Sequence, residues 1–168
     1  MSSEAKQAIL DKHNELRRRV AKGEETGGIN APQPGASNMR KLVWSTELES
    51  VAQRWADQCT VRTGTGISLV SRCLLKFGHD TSREKLDGTS VGQNAYWGAN
   101  SQEEDEAAIQ GKQTKAAQSW YDEVTDPGFD SQTINPYAFN SGTGHYTQVV
   151  WAKTEELGCG MVYYKVNN

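Results

Sequence analysis

The chain has 168 residues, enough for one domain with a sizeable core, and its charged fraction of 23% is ordinary for a folded protein. A formal net charge of −3 argues against a dedicated nucleic-acid or anionic-membrane surface, and no apolar run approaches the length of a membrane span. The three cysteines, Cys59, Cys73 and Cys159, cannot all pair within the chain, and their spacing fits no zinc finger.

The N-terminus, Met1 to Lys6, has no apolar stretch of the secretory-signal kind, and no Asn-x-Ser/Thr acceptor occurs anywhere. Either the chain is cytosolic, or it is a mature domain that carries a start methionine. Ile9, His13, Leu16 and Val20 recur at helical spacing and predict a helix over 3–23, with Gly23 as its stop. Residues 24–37 form a Gly- and Pro-rich loop, in which Pro32 and Pro34 favour extended backbone. A second helix starts near Ser45, a good N-cap, and carries the apolar stripe Leu48, Val51, Ala52, Trp55 and Cys59.

Residues 60–76 show neither helical nor strand periodicity. Strand signals return over 88–100, around Val91 and Ala95-Tyr96-Trp97. The acidic run 102–106 reads as a solvated helix entry. Thr114, Ala117, Trp120, Tyr121 and Val124 make a third helical stripe, ended by Asp126-Pro127-Gly128. The run from Gly144 to Thr154 reads as one buried strand with a polar mouth: His145, Thr147, Val149 and Trp151 on one face, and Tyr146, Gln148 and Val150 on the other. Gly160 to Tyr164 reads as a second strand. Helices first and paired strands last predict an α+β fold.

The ionisable residues of interest are His79, Glu123 and His145, with Gln93 as a fourth polar element. Taken singly, each has a bland reading as a hydrogen-bonded structural residue, a solvated helix end or turn chemistry. Ser141 lies near His145 in sequence, but no elbow motif marks it as an activated nucleophile. Aromatic residues crowd the second half. Most suit a core, but Pro136-Tyr137-Ala138-Phe139 is harder to bury in a regular element.

Gly144-His145-Tyr146-Thr147-Gln148-Val149-Val150-Trp151, with Thr154, resembles the signature G-H-[FY]-[TS]-Q-[LIVM]-[LIVM]-W-x-x-[ST] of the CAP superfamily: cysteine-rich secretory proteins, antigen 5 venom allergens and pathogenesis-related proteins. The resemblance extends from about Leu10 to Tyr164. It takes in His13-Asn14-x-x-Arg17, Ala36-x-Asn38-Met39-x-x-Leu42-x-Trp44, Ala52-x-x-Trp55-Ala56-x-Gln58-Cys59, Gly78-His79-Asp80, Gly92-Gln93-Asn94 and Trp120-x-x-Glu123, in that order. The spacing and the Gly-Gln-Asn form are most similar to arthropod antigen 5 proteins.

The resemblance implies a single CAP domain over 1–168 with the architecture of a three-layer α-β-α sandwich, and a segment foreign to the family pattern at about 60–73. That segment is either a surface loop, which a Cys59–Cys73 bond could clip, or a piece foreign to the usual product. The family's second signature would stand just past Asn168, so the sheet can lack its last strand, and Cys159 is expected to be a free, buried thiol. The resemblance also implies a cleft lined by His79, His145, Glu123 and, where relatives carry a second acid, Gln93. No cofactor is required; a weakly bound zinc on His79 and His145 is implied, without a third protein ligand. Gln93 cannot ionise, so it supplies neither charge nor a proton acceptor.

The resulting expectation is a secreted, non-enzymatic antigen 5-like protein. Its cleft would bind a hydrophobic small molecule (sterol, fatty acid or eicosanoid) or a host protein, and Tyr146, Thr147, Gln148 and Trp151 would belong to the signature strand. The alternatives are a cysteine-poor relative that binds sterol or lipid at membranes and, third, a metal-assisted hydrolase with Glu123 as base.

Overall fold

Three helices and one short one carry the described part of the chain, and the order in which they occur is close to the order the sequence predicts. The computed structural model describes residues 1–59, 79–97 and 106–163. The expected 60–73 insertion, Cys73 and its bond to Cys59, the end of the 88–100 segment and Tyr164 lie outside the described residues. The chain divides into two compact units: Ser2–Val43 with Gly98–Glu155, and Trp44–Trp97 with Glu156–Asn168, the latter also including Met1. They are called the α1 unit and the α2 unit.

In the α1 unit, helix α1 spans Ser3–Ala21. The Ser2 side chain caps it by accepting from the Ala5 amide, while Glu4 in the first turn and Arg18 and Arg19 in the last suit the helix dipole. The predicted stripe Ile9, His13, Leu16 and Val20 is buried, and Gly23 with φ +72° follows the helix end. The second helix of this unit, α3 (Glu106–Asp122), buries Ala116, Ala117 and Tyr121. It begins at the end of the acidic run and stops one turn before Asp126. A wide turn over Val124–Gly128 then holds Pro127. Leu16, Val20, Tyr121, Val124, Phe129, Tyr146 and Val149 form the core cluster. Each such side chain contributes about 1.5–3 kcal/mol relative to exposure.

The run predicted as a strand is a helix. Gly144–Val149 forms the short helix α4, which buries Tyr146, Thr147 and Val149. Its aromatic and β-branched residues favour a strand locally, but tertiary partners satisfy its open ends. The carboxylate of Glu123 accepts from the Tyr146 amide at 3.0 Å, and Arg17 donates to the Val149 and Trp151 carbonyls, both at 2.9 Å. Periodicity cannot see partners 23 and 132 residues away.

In the α2 unit, helix α2 spans Thr46–Ala56, with Ser45 as N-cap as predicted. Its stripe Leu48, Val51, Ala52 and Trp55 is half-buried. Strand β1 (Val43–Trp44) pairs with β2 (Glu156–Leu157). Val43 N donates to Glu155 O in the α1 unit, and Ser45 N donates to Leu157 O in the α2 unit. Helices with a small sheet give the predicted α+β class.

Two predicted strands differ from what is found. The strand lies at Glu156–Leu157, within the segment expected to divide two strands, and not over 160–163. The reason is that Met161 spends both its backbone groups on a side chain: its amide donates to Gln53 Oε1 and its carbonyl accepts from Gln53 Nε2, both at 3.0 Å. Likewise the described residues 91–97 form no strand. Val91 is tied to Arg83 instead, by its amide to the Arg83 carbonyl and by its carbonyl to the Arg83 guanidinium.

Candidate functional site

The His13-Asn14-x-x-Arg17 element on α1 is a brace. Asn14 brackets Leu42, accepting from its amide at 2.8 Å and donating to its carbonyl at 3.1 Å. Arg17 is 2% exposed, and its guanidinium donates to the carbonyls of Arg40, Val149, Trp151, Ala152 and Thr154. Burial pulls it down to about 10, still charged at neutral pH. His13 donates from Nδ1 to the Ile9 carbonyl at 2.9 Å, and desolvation holds it below its ordinary value.

That scaffold positions His145. Its Nδ1 donates to Glu123 Oε1 at 2.6 Å, because a carboxylate can only accept. Its ring stacks on Trp120, with centroids 6.4 Å apart and planes at 26°. Trp120 and Glu123 are three residues apart at the end of α3, so one helical face supplies both the ring's stacking partner and its hydrogen-bond partner. With the proton on Nδ1, the lone pair of neutral His145 lies on Nε2. His13 also meets the same tryptophan, tilted at 54° with centroids 6.3 Å apart.

The α2 unit holds His79 differently. The Gln93 side-chain oxygen accepts the Asp80 amide at 2.9 Å, which fixes which amide atom is oxygen; the same oxygen then accepts from His79 Nδ1 at 2.9 Å. Its lone pair is again on Nε2. Asp80 is buried and ties the loop through Ser82 N and through its carbonyl to Arg83. Among the described residues, no group of three or more His, Cys, Asp or Glu side chains could hold a metal ion. The four candidate residues thus divide as His145 with Glu123, and His79 with Gln93.

Around α4, Tyr146 is buried with its ring edge-on to Tyr121 at 5.4 Å and tilted on Phe129 at 5.2 Å. Thr147 donates to the Gly144 carbonyl, and Gln148 is half-buried. Trp151 is 44% exposed and meets Tyr137 edge-on at 5.1 Å. Tyr137 is 42% exposed and Phe139 70%, the latter lying against Gly144. The loop that is hard to bury by sequence is therefore largely open. What sequence reasoning passed over is the stacking of Trp120 on His145; its signal was the Trp-x-x-Glu spacing.

Residues 10–168 match the sequence model of CAP, the cysteine-rich secretory protein family. The chain belongs to this family. Venom allergen 5 of Microctonus hyperodae is 42% identical over 161 residues, covering 95% of this chain and 60% of that relative. Venom allergen 3 of Solenopsis invicta is 39% identical, with 95% and 60% covered, and venom allergen 5 of Vespula pensylvanica is 39% identical, with 99% and 70% covered. The chain thus spans 60% of the length of the first two of these relatives. Among solved structures, NaASP2 with Zn2+ aligns with a TM-score of 0.66 and 27% identity over 94% of this chain and 72% of that one. BmVAL-1 gives 0.64 and 28% over 95% and 69%. These relatives are named as venom allergens. No helix among the described residues is long and apolar enough to cross a membrane.

Proposed function

We propose that this CAP chain is a secreted, antigen 5-like binding protein without enzymatic activity, which takes a hydrophobic small molecule (sterol, fatty acid or eicosanoid) or a protein partner beside α4. Its venom-allergen relatives support secretion. The observation that carries the binding reading is the open aromatic set Tyr137, Phe139 and Trp151 in the α1 unit. Exposed rings on a braced scaffold offer apolar contact area at low ordering cost. The His145–Glu123 pair, meanwhile, works as a tertiary cap for α4, a structural task that needs no substrate.

Mass spectrometry of organic extracts tests this on protein purified from its natural source. A co-purifying lipid is expected, and a fluorescent fatty acid should bind wild type about tenfold more tightly than a Phe139→Ala, Trp151→Ala double variant. Empty extracts together with equal affinities would remove the small-molecule reading.

A second reading is weak zinc binding. Each histidine, by itself, has the build of a zinc ligand: Nδ1 is tied to an oxygen and the lone pair is on Nε2. NaASP2 was solved with Zn2+. When bound, zinc would supply Lewis acidity. His79 and His145 would each serve as a ligand within its own unit, and Glu123 would orient His145. Calorimetric titration of zinc into wild type, His79→Ala and His145→Ala is the check; no heat, or equal heat in all three, would sink it.

A further inference from the structure

One feature of the α2 unit serves neither histidine. Residues 84–90 form a hairpin: Glu84 and Ser90 make an antiparallel bridge, Lys85 N donates to Thr89 O, and Gly88 N donates to Lys85 O. Gly88, with φ +80°, lets the turn close, and Asp87 Oδ1 accepts from the Thr89 amide. Leu86 stands at the apex and is 97% exposed.

A single exposed leucine is unremarkable in itself. What distinguishes this one is how firmly its backbone is held. The Leu86 amide donates to Glu47 Oε1 of α2 at 2.6 Å. Beside it, the Lys85 ammonium reaches Glu156 Oε2 at 2.9 Å and Glu47 Oε2 at 3.7 Å. The tip is therefore pinned to α2 on one side and to β2 on the other. Ordering a loop is a main cost of forming an interface, and here the fold has already met that cost.

The charges around the tip identify the partner. Lys85 is neutralised by Glu47 and Glu156, and Arg83 is engaged with the Asp80 and Val91 carbonyls. Glu84 and Asp87 remain exposed beside Leu86 as an acidic collar. That collar disfavours nucleic acid and anionic lipid. It also disfavours a second copy of this chain, whose net charge is −3. The open groove on α2 of the same unit is lined by Thr46, Glu49, Ser50, Gln53, Arg54 and Asp57, with two acids and a single base among them. We infer that the 84–90 hairpin is a protein-docking knob, with Leu86 as an anchor for a partner whose apolar pocket is rimmed by Lys or Arg. Aliphatic anchors buried in such pockets are typical interface hot spots, and opposite charge at the rim speeds association.

The test uses the full chain, labelled at its N-terminus, on an array of purified extracellular and cell-surface protein domains. Wild type, Leu86→Asp, Leu86→Met and Asp87→Lys are compared at two salt concentrations. At least one domain should bind wild type, lose about tenfold or more in affinity with Leu86→Asp, and keep most of it with Leu86→Met. Asp87→Lys should slow association several-fold at low salt. Because Leu86 is solvent-exposed, both Leu86 variants should share the wild-type melting temperature, so loss of fold cannot mimic their result; Asp87→Lys also removes the bond to the Thr89 amide and is compared only where its melting temperature matches wild type. The inference is overturned if no arrayed domain binds, or if every bound domain tolerates Leu86→Asp.

Discussion

His145 and His79 present the same atom by different means. In the α1 unit, a carboxylate just past the end of a 17-residue helix holds Nδ1, a tryptophan of that helix supports the ring plane, and both rest on a core braced by buried Arg17. In the α2 unit, a neutral amide holds Nδ1, and the order of its loop comes from short turns around Asp80 and Arg83. The first arrangement depends on contacts that are distant in sequence, the second on local ones. The two should therefore fail separately.

The largest break in that comparison should come from Arg17→Met. It removes a donor from the carbonyls of five residues at once, that of buried Val149 among them. A loss of about 4 kcal/mol or more is expected in chemical denaturation. Hydrogen exchange should show α4 amides losing protection while the Met161 amide, held by Gln53, keeps its own. Simultaneous loss in both units would show that they do not fail separately.

The next effect is the counterpart in the α2 unit. Gly158 and Gly160 lie directly on the α2 backbone, where a Cβ would collide with Leu48–Glu49 and Ala52–Gln53. Gly160→Ala must push the chain off the helix and break the Gln53–Met161 bracket. A loss of about 2 kcal/mol is expected, with exchange now fastest around 156–161 and α4 little changed. The reverse order of exchange would contradict the assignment of these braces.

Much of this was legible in the sequence. The α1 and α3 stripes and the Ser45 cap follow from helical spacing, and the Trp120-x-x-Glu123 and Gly144–Thr154 motifs carried the family. The element types that were missed share one cause. Gly144–Val149 has strand-forming residues, but its ends are satisfied by Glu123 and Arg17. Val91 and Met161 have strand-like surroundings, but their backbone groups are claimed by Arg83 and Gln53. For Gly144–Val149 and Met161, side chains from far along the chain took over bonds that periodicity assigns to backbone; for Val91 the claimant is eight residues away and acts through both its carbonyl and its guanidinium. No local pattern encodes such a claim.

A smaller effect tests the acid–amide contrast directly. Glu123→Gln removes the negative charge behind His145, and Gln93→Glu adds one behind His79 while keeping the oxygen that accepts the Asp80 amide. If the histidines ligate zinc, the first should weaken binding about tenfold and the second strengthen it by a similar factor, read by calorimetry at neutral pH. Equal affinities in both variants would mean that the partners set ring orientation and nothing more.

The smallest effects lie at opposite ends of the pH scale, one in each unit. His13 is held below its ordinary 6.5, first by desolvation, and the charge of Arg17 acts in the same direction. Below pH 6.5 the unfolded chain therefore takes up a proton that the folded chain refuses, so stability is lost as pH falls through that value. Cys159 forms no disulfide, and its thiol is pushed up from 9.0 to about 12, first by burial and then by Glu49. Above pH 9 the unfolded chain loses a proton that the folded chain keeps, so stability is lost as pH rises from 9 towards 12. Urea midpoints across the pH range should show both edges. His13→Gln should flatten only the acid edge, since a glutamine amide can still donate to Ile9, and Cys159→Ala should flatten only the alkaline one. If either substitution altered both edges, the two units would be titrating as one.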